Sequence, residues 1–203
     1  MLKIDKDQIP SFWNHVDKKY NNYDKLNRDD KGKELRQSLR VHIISEQKGI
    51  CAYCCKSIDD KSSLNEHIKP RAEFPQYSLD YNNIVVSCKT KGTCTTAKGD
   101  KYSDDFVSPL DDDLETHFSM SPDGNIICLT ERAKYTCDLL KLNSYELVEA
   151  RKAIIKNCSY FEDDIVSIKE TYLYKDKKVG IYNAYSLTIL YRQSLLKSLV
   201  PKS

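Results

Sequence analysis

Four cysteines in two close pairs constrain this chain more than any other sequence feature. Cys51 and Cys54 are separated by two residues, and Cys88 and Cys94 are separated by five. Two such pairs are a common way for a protein to supply the four tetrahedral ligands of a structural Zn²⁺ ion. We therefore predict that the chain folds back on itself between residues 54 and 88, so that both pairs bind one zinc ion.

Two other interpretations of these cysteines stay open. The Cys51–Cys54 pair has the spacing of a redox motif, but such a pair follows a strand and opens a helix, whereas Cys51 follows a helical pattern and Gly49. The thiols could also be buried without a ligand, as free cysteines often are. The other four cysteines lack a metal-binding spacing and are predicted to be small packed thiols: Cys55, Cys128, Cys137 and Cys158.

Composition narrows the class of protein without identifying a partner. The 203 residues suffice for one domain with additions or two small domains. Lysine and arginine total 32 and aspartate and glutamate 30, so the net charge of +2 does not by itself indicate nucleic acid. We expect no membrane span and no secretory signal, because no apolar run approaches about 18 residues and the first residues are polar. Unpaired cysteines favour a reducing compartment, so the expected location is the cytoplasm.

Hydrophobic periodicity predicts an α+β fold with a metal-rich centre between helical flanks. Short β-type runs occur at 63–68, 84–87 and 126–129, and the stretch 102–124 is acidic and loop-like. The helical patterns lie at 7–23, 31–48, 143–158 and 181–199. We divide the chain into an N-terminal helical segment at 1–48, a zinc-binding core at 49–101 and a mainly helical region at 102–203, the last assigned to partner docking.

A candidate catalytic stretch lies between the cysteine pairs, at Glu66 and His67, with Asn83 sixteen positions after His67. Phosphodiester hydrolysis requires a base that activates water, a group that fixes this base, and a cation that takes up charge on the phosphate. The imidazole of His67 titrates near neutrality and can be the base. A carboxylate such as Glu66 is a ligand suited to Mg²⁺ or Mn²⁺, and the side-chain carbonyl of Asn83 can orient the ring.

These motifs together resemble the zinc-containing HNH endonucleases, and more closely the PtuB-like HNH proteins of Septu and retron systems. The matching stretches are Cys51-Ala-Tyr-Cys54, Glu66-His67-Ile68-Lys69-Pro70, Asn83-Ile-Val-Val-Ser-Cys88 and Cys94-Thr-Thr-Ala-Lys98-Gly99. The resemblance extends over about 46–151. It implies a zinc-stapled ββα-metal core, with His67 as general base, Glu66 as the ligand of a catalytic Mg²⁺ or Mn²⁺, and Asn83 as the orienting residue.

The same resemblance implies a nuclease of anti-phage defence that works with an ABC-type ATPase, in a larger complex, with DNA favoured over RNA as substrate. We expect Lys69, Arg71 and Lys98 to contact the nucleic acid. One departure stands out, because the residue after the fourth cysteine is His or Asn in the family pattern and is Thr95 here. A hydroxyl is a weaker metal ligand, so the alternative is a catalytically weak, zinc-stabilised nucleic-acid-binding or adaptor subunit.

Overall fold

An antiparallel pair of strands lies at the centre of the fold. In the computed structural model, which describes residues 1–158, β1 (Ser63–His67) pairs with β2 (Ile84–Cys88). The register places Ser63 opposite Cys88 and His67 opposite Ile84. Every residue of β2 is buried, so this strand has neighbours on both faces. The two strands predicted at 63–68 and 84–87 are confirmed.

Helices and one further strand pair surround this hairpin, so the predicted α+β class is also confirmed. A second, smaller sheet pairs β3 (Phe118–Met120) with β4 (Ile126–Cys128), as predicted for the run at 126–129. The predicted helix at 181–199 lies outside the described residues. The helices are α1 (Val16–Lys19), α2 (Asp30–Glu46), α3 (Cys94–Lys98), α4 (Leu114–His117), α5 (Glu131–Leu140) and α6 (Tyr145–Cys158).

Helix α2 matches its prediction closely, because its sequence carries clear start and stop signals. The Asp29 side chain accepts a hydrogen bond of 2.6 Å from the Gly32 amide, which caps the first turn. The helix ends before Lys48 and Gly49, whose φ angles of 54° and 73° reverse the chain. This reversal delivers the chain directly to Cys51.

The helix predicted at 7–23 is wrong in extent. Only Val16–Lys19 is α-helical, and His15, with φ of 67°, stops the helix from extending towards the N-terminus. The helical spacing was right for three of its five apolar positions, since Trp13, Val16 and Tyr20 are buried, whereas Ile9 and Phe12 are exposed. Turns that begin at Pro10 supply the backbone hydrogen bonds that a longer helix would have supplied.

The acidic stretch at 102–124 is more ordered than predicted, because it contains α4 and β3. Arg151 of α6 fixes this region from within, and its side chain is only 2% exposed. Its guanidinium donates to the carbonyls of Gly124 at 2.6 Å and Leu142 at 2.7 Å. The predicted helix at 143–158 is confirmed as α6.

One hydrophobic cluster spans all three stretches into which the sequence was divided. Trp13 and Leu39 contribute from the N-terminal part, Ile84 from the hairpin, and Val107 and Leu140 from the part beyond residue 101. The proposed boundaries at 48 and 101 therefore stay a prediction, and the packing joins their three segments. Within residues 1–158, no helix combines the length and apolarity needed to cross a membrane.

The buried amide of Gln47 holds the outer edge of β2. Its Nε2 donates to the carbonyls of Ile50 and Val86, each at 2.8 Å, and its Oε1 accepts from the Val86 amide at 2.7 Å. The side chain thus pairs with Val86 as a neighbouring strand would. It also connects the end of α2 to the turn that carries the first cysteine pair.

We expect the Gln47→Met variant to lower the free energy of unfolding by about 2–4 kcal/mol, because the Val86 amide and the Ile50 carbonyl lose their partner inside the protein. Urea unfolding of the zinc-loaded protein measures this effect. Gln37→Met is the matched control, since Gln37 is exposed on α2 and its replacement should change the stability by less than about 0.5 kcal/mol. Equal stability of the two variants would contradict this role for Gln47.

Candidate metal centre and catalytic site

The four cysteines predicted as zinc ligands converge on one point. The Sγ atoms of Cys51 and Cys94 are 4.0 Å apart, those of Cys54 and Cys88 are 3.9 Å apart, and all four lie within 4.8 Å of one another. Zinc with Zn–S bonds of about 2.3 Å requires S–S separations of about 3.8 Å, so the arrangement suits a tetrahedral thiolate site. All four residues are buried, so the predicted convergence of the four thiols is confirmed, and the cluster could hold a metal ion such as zinc.

Local backbone geometry brings the two pairs together. The Cys51 amide donates to the Lys56 carbonyl at 2.8 Å, which closes a tight turn around the first pair. Cys88 ends β2 and Cys94 begins α3, so the second pair spans the connection between them. Cys55 has a φ of 60° and lies in a separate cluster with Ile50 and Met120, away from the metal-binding group.

Electrostatics also favour a cation at this centre. Hydrogen bonds from the neighbouring thiols, led by Cys51, lower the pKa of Cys88, and the same neighbours raise the pKa of Cys94 well above its usual range. Without a metal ion, some of these crowded thiols therefore keep their protons while others lose them. A bound divalent cation would allow all four to be thiolates. The Cys88 amide also donates to the Cys51 sulfur at 3.3 Å, which suits a charged sulfur.

Glu66 points from β1 towards α3 and is surrounded by hydrogen-bond donors. The Tyr53 hydroxyl donates to its Oε1 at 3.3 Å, and the Lys98 ammonium lies 2.9 Å from the same oxygen. The Thr95 hydroxyl donates to Oε2. The two positions that the family pattern assigns to the catalytic metal, Glu66 and Thr95, are thus in direct contact. Their oxygen atoms are of the kind that Mg²⁺ and Mn²⁺ prefer, although the set contains a single carboxylate.

His67 ends β1 and faces a different set of neighbours. Its Nε2 donates to the Ser78 carbonyl at 2.9 Å, and its ring packs edge-on against Tyr23 at a centroid distance of 4.7 Å. A carbonyl only accepts hydrogen bonds, so in the neutral ring Nδ1 carries the free lone pair. Burial lowers the pKa of His67 from 6.5 to about 4, with Arg71 and Lys98 acting in the same direction against the Ser78 hydrogen bond. The ring is neutral at physiological pH and able to accept a proton.

Asn83 has another role than the one predicted for it. Its Oδ1 accepts from the Lys69 amide at 2.8 Å, while its Nδ2 donates to the carbonyls of Lys69 at 3.0 Å and Tyr77 at 3.1 Å. The prediction that its side-chain carbonyl holds the His67 ring is wrong, because Ser78 performs that task. Asn83 instead pins both ends of the loop that carries Ser78, so it orients the ring through the backbone.

The three residues predicted to contact nucleic acid differ in accessibility. Lys69 is half-buried with its ammonium 5.1 Å from the centre of the Tyr77 ring, and Arg71 forms an ion pair with Asp24 beside the Tyr23 ring. Lys98 is 1% exposed and is committed to Glu66. Its ammonium is therefore not on the surface in this structure, and a contact of Lys98 with nucleic acid stays a prediction that would require the side chain to leave Glu66.

The sequence interpretation missed two groups at this site. Ser78 acts through its backbone carbonyl, which no residue pattern reveals. Tyr53 lies between Cys51 and Cys54 in the sequence. Its hydroxyl donates to Glu66, which connects the turn around these two cysteines to the candidate catalytic carboxylate. An aromatic hydroxyl between two zinc ligands is a signal that could have been used.

No family model matches the chain, but two curated proteins are similar to it. A retron Vc95 protein of Vibrio cholerae serotype O1 biovar El Tor, whose name refers to an HNH endonuclease, is 29% identical over 138 residues, covering 62% of this chain and 67% of that protein. The Septu protein PtuB of Bacillus thuringiensis is 25% identical over 115 residues, covering 53% of this chain. The sequence is thus similar to PtuB-like HNH proteins.

The alignments cover only part of these PtuB-like relatives, so only part of what their names say can be proposed for this chain. The matched region spans 42% of the length of the Septu protein PtuB. The strand–strand–helix order of β1, β2 and α3 around the cysteines agrees with the HNH family name. The cysteine centre, Glu66 and His67 belong to this compact unit.

Proposed function

We propose that this chain is a metal-dependent HNH endonuclease that hydrolyses phosphodiester bonds of nucleic acid, with DNA as the substrate. The observation that carries the proposal is His67, a buried and neutral histidine whose Nε2 is held by a backbone carbonyl. It adjoins Glu66, which contacts Thr95 of α3. The name of the retron relative, which refers to an HNH endonuclease, supports the same reaction class.

We propose the following chemistry for these groups. Nδ1 of His67 accepts a proton from a water molecule, whose oxygen attacks the phosphorus as the bond to the leaving oxygen of the nucleotide breaks. Glu66, with the hydroxyl of Thr95 beside it, would hold Mg²⁺ or Mn²⁺, which supplies positive charge for the phosphate oxygens. Asn83 keeps the loop at Ser78 in place, so the ring stays oriented while it gains its proton. Zinc at the four cysteines would hold the turn and α3 against the hairpin and take no part in the reaction.

A cleavage assay tests this proposal. Zinc-loaded protein with Mg²⁺ or Mn²⁺ should cut nucleic acid, and a panel of duplex DNA, single-stranded DNA and RNA identifies the substrate. A pure preparation that cuts none of these, alone or with its partner, would favour a catalytically weak nucleic-acid-binding or adaptor subunit. Thr95 in place of the usual His or Asn is the observation that supports this second function.

We also propose an ABC-type ATPase as partner, in an anti-phage defence system. The name of the Septu relative supports the defence context, and the resemblance in sequence supports the ATPase. Coexpression with a neighbouring ATPase gene followed by size-exclusion chromatography tests the complex. Two proteins that never elute together would remove the ATPase from this proposal.

The pH dependence of cleavage offers a direct prediction. A base is active when deprotonated, and a histidine with a pKa of about 4 is about 99% neutral at pH 6, compared with about a quarter for a pKa of 6.5. We therefore expect kcat/KM to stay nearly constant on the acid side from pH 7 down to about pH 5.5. Initial rates across this range, with zinc content verified at each pH, measure it. A tenfold fall between pH 7 and pH 5.5 with zinc retained would show that the base has an ordinary pKa.

A further inference from the structure

Both carboxylate oxygens of Glu66 already have partners within the protein. Oε1 accepts from Tyr53 and faces the ammonium of Lys98, and Oε2 accepts from Thr95. The side chain of Glu66 is 8% exposed and that of Lys98 is 1% exposed, so water contributes little to either charge. A divalent cation that binds Glu66 must therefore share the carboxylate with these three donors or displace one of them.

Lys98 is the donor that matters most, because it carries a charge. Its ammonium lies 2.9 Å from Glu66 and also donates to the His67 carbonyl at 3.0 Å. A second positive charge on the same carboxylate oxygen would repel this ammonium strongly in a buried setting. If the metal took Glu66 away as a partner, the buried Lys98 ammonium would keep only the His67 carbonyl. A buried charge without its counter-ion is costly in free energy.

Lys98 is also well held where it lies. It is the last residue of α3, whose first residue is the zinc-binding candidate Cys94, and the side chains of Thr93 and Thr96 cap the start of this helix. The backbone of Lys98 is therefore fixed in position. Its flexible four-carbon side chain can change rotamer and bring the ammonium to a nearby anion. A phosphate group of the substrate is such an anion.

We propose that Lys98 controls when the catalytic cation binds. In the protein without substrate, the Lys98–Glu66 ion pair keeps Mg²⁺ or Mn²⁺ affinity low. A phosphodiester at the site gives the ammonium a second partner, which frees Glu66 for the metal, so metal and substrate bind together. This inference rests on the proposed function for its substrate, and it assigns to Lys98 a positioning role towards the metal.

Binding of Mn²⁺ to nucleic-acid-free, zinc-loaded protein tests this role, with free Mn²⁺ followed by electron paramagnetic resonance. We expect Lys98→Met to bind Mn²⁺ at least about tenfold more tightly than wild type, because a buried positive charge next to the ligand has been removed. Lys101→Met is the matched control, since Lys101 is exposed three residues further on, and its Mn²⁺ affinity should stay within about twofold of wild type. Adding Glu66→Gln to Lys98→Met should abolish the gain.

A second arm uses wild-type protein and a phosphorothioate oligonucleotide, which should raise Mn²⁺ affinity at least about tenfold in wild type and far less in Lys98→Met. If Lys98→Met does not fold, Lys98→Gln replaces it, because the amide can still donate to the His67 carbonyl. A folded, neutral variant at position 98 with wild-type Mn²⁺ affinity would overturn the inference and leave the proposed function standing. If neither wild type nor any variant bound Mn²⁺, with or without oligonucleotide, both the role of Lys98 and the proposed metal-dependent function would be contradicted.

Discussion

Replacing His67 with alanine should reduce cleavage by a factor on the order of 100 to 10,000, which is the usual contribution of a general base. The free lone pair of Nδ1 is the group in this site that is suited to accept a proton from water, so its removal leaves Glu66 and any bound cation without a base. Single-turnover cleavage of an end-labelled substrate, with enzyme in excess, measures the loss in the chemical step directly.

Controls must separate catalysis from folding at this position. His67 is 7% exposed and its ring packs against Tyr23, so alanine leaves space at this position. His67→Gln fills more of this space and should lose activity to a similar degree while it unfolds later in urea. His42→Ala, on α2 and away from the site, should cut like wild type. Cleavage at the wild-type rate by folded His67→Ala would end the HNH assignment and favour a zinc-stapled binding module.

Replacing a single zinc ligand should have the largest effect on stability. Structural zinc sites contribute about 10–16 kcal/mol in small peptides, more than the total stability of most domains. We therefore expect Cys88→Ser and Cys51→Ser to give insoluble or partly unfolded protein. Elemental analysis of wild type should find about one zinc ion per chain, and a strong chelator should remove it together with the near-ultraviolet circular dichroism signal.

Cys128→Ser provides the control for this experiment. Cys128 is a partly exposed free cysteine at the end of β4, outside the metal-binding group, so its replacement should leave zinc content and solubility unchanged. Soluble, fully folded wild-type protein without zinc would contradict the metal centre. If the protein held no metal and Cys51 and Cys54 formed a reversible disulfide, the redox interpretation of this pair would be supported instead.

Local sequence signals predicted the parts of this site that depend on nearby residues. The cysteine spacing predicted the metal centre, and the β-type runs around residues 63 and 84 predicted the hairpin that brings the pairs together. Asp29 and Gly49 mark the ends of α2 in sequence and in the structure. These features succeed because caps, turns and strand patterns act over a few residues.

Sequence patterns did not predict the contacts between residues that lie far apart along the chain. The hydrogen bond from His67 to the Ser78 carbonyl involves a backbone atom that every residue possesses, so composition at position 78 carries no information about it. The burial of Lys98 against Glu66 depends on how α3 packs on β2, and a lysine in a basic stretch otherwise suggests a surface. Helix periodicity at 7–23 identified buried positions but not the reversal at His15, which tertiary packing imposes.

The shortness of α3 has a consequence for how this chain tolerates change over evolutionary time. A helix of one turn has almost no internal hydrogen bonding to keep it formed, so Thr95 and Lys98 inherit their positions from the metal–sulfur bond that Cys94 would make. Among relatives we therefore expect the cysteine at 94 to be retained wherever a functional side chain occupies position 95 or 98, because the placement of both depends on it.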